Sequence, residues 1–60
     1  MAEERKRLEE TARMLRVRLS ELEERGRRLS EVDRPIHEVA LLAVKTSLTD
    51  VGRQLVRMAA

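Results

Sequence analysis

The sequence predicts an all-α protein. Its expected form is a helical hairpin of two antiparallel helices, over about 2–32 and 35–59, pairing with a second hairpin into a dimeric four-helix bundle or coiled coil. Three observations predict it. Leucines recur every seven residues at Leu8, Leu15, Leu22 and Leu29. A second apolar stripe, Leu41, Val44, Leu48, Val51, Leu55 and Met58, advances in alternating steps of three and four. Between the two lies Asp33-Arg34-Pro35, a helix-breaking tripeptide.

In the first segment Ala12, Leu19 and Gly26 fall between the heptad leucines, so a continuous a/d seam runs from Leu8 to Leu29. A repeat of 3.5 residues keeps such a seam on one side of a helix that packs against a partner helix. The remaining positions are mostly charged, which leaves a strand without support. Five Glu-first pairs stand at i, i+4: Glu3–Arg7, Glu9–Arg13, Glu21–Arg25, Glu23–Arg27 and Glu24–Arg28. Each stabilises a helix by roughly 0.2–0.5 kcal/mol. Gly26 is ambiguous. It suits the end of a helix closing near Arg25, but Leu29 continues the seam in register, which favours an interior glycine that admits a close neighbour.

Pro35 has no amide hydrogen and disfavours helical angles at Arg34, so a continuous helix must stop or kink there. Proline is also welcome in the first turn of a new helix, with Asp33 or its neighbour as a suitable N-cap. A turn near 33–35 is therefore expected, within a single module spanning 1–60. One long helix kinked at Pro35 is the competing arrangement.

The second helix changes character along its length. Thr46, Asp50, Arg53 and Arg57 form a polar face in its second half. In the first half Ile36, Val39, Ala40, Leu41, Leu42, Ala43 and Val44 surround the axis, with Glu38 the one charge among them. A helix that is apolar all round belongs in an interior. One antiparallel neighbour covers only a stripe, so Ile36, Val39, Leu42 and Ala43 are expected to stay wet unless another chain covers them. Met14 and Val17 lie outside the main seam of the first helix and are candidates for that second contact. The expected protein interface comprises Leu8, Leu15, Leu19, Leu22 and Leu29 in the first helix. In the second it comprises Ile36, Val39, Leu41, Leu42, Val44, Leu48, Val51 and Leu55.

Size and composition point the same way. A 60-residue chain buries only about 60% of its unfolded surface, and chains this short without disulfide or metal commonly gain stability by oligomerising. Phe, Trp, Tyr and Cys are absent. That excludes a disulfide scaffold, a cysteine zinc site, an aromatic base-stacking platform and a thiol nucleophile. Thirteen basic against eleven acidic residues leave a net charge of only +2. The longest apolar run, Val39 to Val44, is far short of the roughly 20 residues of a membrane span. The opening MAEERKRLEE has no apolar stretch behind its charges, so no secretory signal is expected. A soluble, cytoplasmic chain is the expectation.

Chemistry is sparse. His37 is the one histidine. With Glu38 beside it, it falls short of the three or four converging ligands of a metal site, and a surface or boundary histidine is the expected role. Burial of His37 in a dimer would make assembly pH-dependent. Gly26 and Gly52 are isolated, so no phosphate loop is available, and no Gly-x-Ser-x-Gly turn presents a serine nucleophile. No enzymatic activity and no cofactor are expected. The expected partner is a second copy, in a homodimer or higher homo-oligomer, or a larger helical protein. Nucleic acid is the alternative partner, through the columns Arg7, Arg18, Arg25 and Arg28. Acidic residues interrupt every basic cluster, whereas phosphate binding needs a sustained basic face.

Overall fold

The structure, a computed structural model, describes residues 2–59. It consists of two helices, α1 (Ala2–Gly26) and α2 (Arg34–Ala59), packed against each other. They run antiparallel. At the closed end the imidazole of His37 lies over Gly26, and at the open end Met58 shares a surface depression with Ala2, Glu4 and Arg5. The single kinked helix does not form.

Both seams face inward. Ala12 and Leu22 are buried on α1, with Leu8, Leu15, Leu19 and Gly26 half-buried; Val51 is buried on α2, with Leu41, Val44, Leu48 and Leu55 half-buried. The contact of His37 with Gly26 sets the register. At 1.5 Å per residue along each helix it brings Leu22 level with Leu41, Leu15 with Leu48 and Leu8 with Leu55. Met58, the last member of the α2 stripe, is 37% exposed where the seam runs out.

α1 ends six residues before the expected boundary of 32, and the connection is the seven-residue segment 27–33 rather than a turn at 33–35. The reason is visible in the backbone. Beyond Gly26 the amides of Arg27, Arg28 and Leu29 bond back three residues, to the carbonyls of Glu24, Arg25 and Gly26. These tighter turns unwind the helix where glycine contributes least to holding it. Leu29 nevertheless remains half-buried. It folds in from the loop and closes the end of the seam, which is why the heptad spacing persists beyond the helix that generated it.

α2 begins as expected. The Asp33 carbonyl accepts the first helical bond, from the His37 amide at 3.2 Å, which makes Asp33 the N-cap. Its carboxylate accepts a hydrogen bond from the Ser30 hydroxyl at 3.2 Å, and Pro35 occupies the first turn, where no helical partner awaits an amide hydrogen.

The exposed charges pair differently from the i, i+4 expectation. Arg13 meets Glu10 at 3.0 Å instead of Glu9, and Arg27 meets Glu24 at 2.9 Å instead of Glu23; Glu24–Arg28 does form, at 3.8 Å. Positions three and four apart are both neighbours on a helix, so solvated side chains choose between partners at little cost.

Candidate interaction surface

The interface residues expected from sequence separate into two groups. Those of the two seams, from Leu8 to Leu29 and from Leu41 to Leu55, are spent inside the hairpin. Ile36, Val39 and Leu42 stand outside it, 77%, 70% and 66% exposed. Ala43 is also exposed. Helical spacing places these four on the side of α2 turned away from α1, at its N-terminal half. Below them on the same side come Thr46, Asp50, Arg53 and Arg57, all exposed. The outer side of α2 is therefore apolar near the closed end and mostly polar near the open end, where Val56 is nevertheless 69% exposed beside Arg53 and Arg57. On α1, Met14 and Val17 are exposed among charges, and Val32 stands out of the loop.

His37 departs from expectation. It is not a surface residue but the most buried polar side chain, 8% exposed, and its Nε2 is sealed from solvent without a hydrogen-bond partner. A Cβ added at Gly26 would lie 2.6 Å from that nitrogen, so the ring rests in space that only glycine leaves open. Leaving a buried nitrogen unpaired costs about 1–3 kcal/mol. The signal was present in the sequence: stepping back four from Leu41 continues the 3,4 stripe to His37. Arg18, Arg25 and Asp33 border the same crevice of about 260 Å³, with Leu22, Leu29 and Ala40 as its apolar wall. Glu38 is exposed. Among the described residues no three His, Asp or Glu side chains come together as a metal site.

The hairpin is poor in core. Among the described residues no side chain is completely enclosed, and Ala12, Leu22 and Val51 are the apolar residues that count as buried. Its shape is a rod of 45 × 14 × 11 Å with a radius of gyration of 14.1 Å, against about 10 Å for a compact domain of this length. The chain exposes 5153 Å², about 1,100 Å² more than the roughly 4,000 Å² of a compact protein of its mass.

No helix of the described residues is long and apolar enough to cross a membrane. Fold and surface together define a two-helix, all-α hairpin with an uncovered apolar outer patch. Neither a protein family, nor a curated protein, nor a solved structure matches the chain.

Proposed function

We propose that this chain is a non-enzymatic interaction module of the cytoplasm whose hairpin self-associates through the apolar N-terminal half of α2. The observation that carries the reading is the uncovered patch of Ile36, Val39 and Leu42 on a hairpin whose seams are already occupied with each other. Burying a large aliphatic side chain is worth roughly 1.5–3 kcal/mol, so three exposed together form a strong drive to associate. The surface excess supports it as well, since a standard interface removes about 800 Å² from each partner. The heptad leucines act one step earlier, by building the hairpin that displays the patch.

Nucleic-acid binding has weaker support. Of its columns, Arg28 is drawn to Glu24 at 3.8 Å, and Glu9, Glu10, Glu21, Glu23 and Glu24 stand between Arg7, Arg18 and Arg25, which breaks up the basic face that phosphates require.

Sedimentation equilibrium at two concentrations tests the reading. A dimer or higher oligomer at micromolar concentration is expected, and a stably folded monomer there would overturn it.

A further inference from the structure

We infer that the second occupant of the patch is another copy of this chain lying in the opposite direction, with the two-fold axis crossing α2 near Val39. This rests on the self-association reading and adds the geometry of the pair.

The patch is short. From Ile36 to Ala43 it rises only about 10 Å along the helix. Below it the same side carries Asp50, Arg53 and Arg57, each exposed. Two copies side by side in the same direction would match the patches but set Asp50 against Asp50, Arg53 against Arg53 and Arg57 against Arg57. Like charges directly opposite are unfavourable, and three such rows would follow directly below the apolar contact. Reversing one copy about Val39 removes all three. The two Arg53 positions then stand about 40 Å apart. Asp50 is carried instead beyond the start of the other copy's α2, away from its counterpart.

The chain has no cysteine, so single cysteines report the pairing without ambiguity. The experiment compares Val39→Cys and Arg53→Cys under air oxidation, with sedimentation of the unmodified chain alongside. Both positions are exposed on α2, so neither substitution disturbs the hairpin seam. A disulfide needs Cα atoms within about 7 Å. Val39→Cys is expected to link at least about tenfold faster than Arg53→Cys. Comparable linking at both positions would place the axis along the helices and overturn the reversed pairing. Linking at neither, in a chain that sediments as a dimer, would move the contact to another face and overturn the inference while leaving self-association standing. A folded monomer would remove both.

Discussion

The closed half of the hairpin and its open half are built from the same two helices, yet they use their surfaces in opposite ways. At the closed end the interior is crowded. His37 is pressed onto Gly26 with no room for a methyl group, and Leu22 is only 4% exposed. The outer side of α2 there is apolar. In the open half Ala12 and Val51 are buried level with each other, but Met58 at the tip is part-exposed and nothing lies within 4 Å of where a Cβ would stand on Gly52. The outer side of α2 there is polar apart from the exposed Val56. The difference teaches that a two-helix rod need not be uniform. The closed end carries the closest helix–helix contact and the apolar outer patch, and the open half carries the charged outer residues Asp50, Arg53 and Arg57 of α2.

The sharpest way to break this comparison is to charge the closed-end patch. Val39→Asp with Leu42→Asp removes two side chains worth roughly 1.5–3 kcal/mol each on burial, so self-association should weaken by about 10²–10⁴-fold in sedimentation. Arg53→Gln with Arg57→Gln, on the same side of the open half, should change it by less than about threefold. Equal effects at the two ends would erase the distinction.

Next in size is the seam. Leu22→Ala should lower stability by about 2–5 kcal/mol, because Leu22 sits where the packing is tightest. Leu55→Ala, half-buried near the open end, should cost less, on the order of 1–2 kcal/mol. Urea denaturation at one fixed protein concentration measures both, since association shifts apparent stability.

The glycines sharpen the contrast further. Gly26→Ala should destabilise by roughly 1–2 kcal/mol, because the added methyl meets a buried imidazole. In a His37→Ala background the obstacle is gone, and the same change should stabilise by about 0.5–1 kcal/mol through helix propensity. That reversal of sign, read from a double-mutant cycle in urea, is the signature of the contact. Gly52→Ala should stabilise by about 0.5–1 kcal/mol outright, visible as a small rise in melting temperature, because nothing stands in the way.

Much of this architecture was legible in the amino-acid sequence. The heptad leucines, the 3,4 stripe and the Pro35 break are local, periodic signals. They specify two helices, their inward faces and the start of the second, and they show that Ile36, Val39 and Leu42 lie off the stripe that a single neighbour covers. What the periodicity left hidden was where α1 stops and that His37, though it continues the stripe, packs on Gly26. The a/d spacing runs on to Leu29 because the seam needs an apolar side chain there, whether a helix or a loop delivers it. The helix itself ends at Gly26. His37 reads as a polar residue near a helix start until the chain folds back and stacks it on a glycine. Repeating spacing along one chain records which residues face inward; only the packing of α1 on α2 decided which of them touch, how closely, and where the room ran out, because those distances arise between residues far apart in sequence.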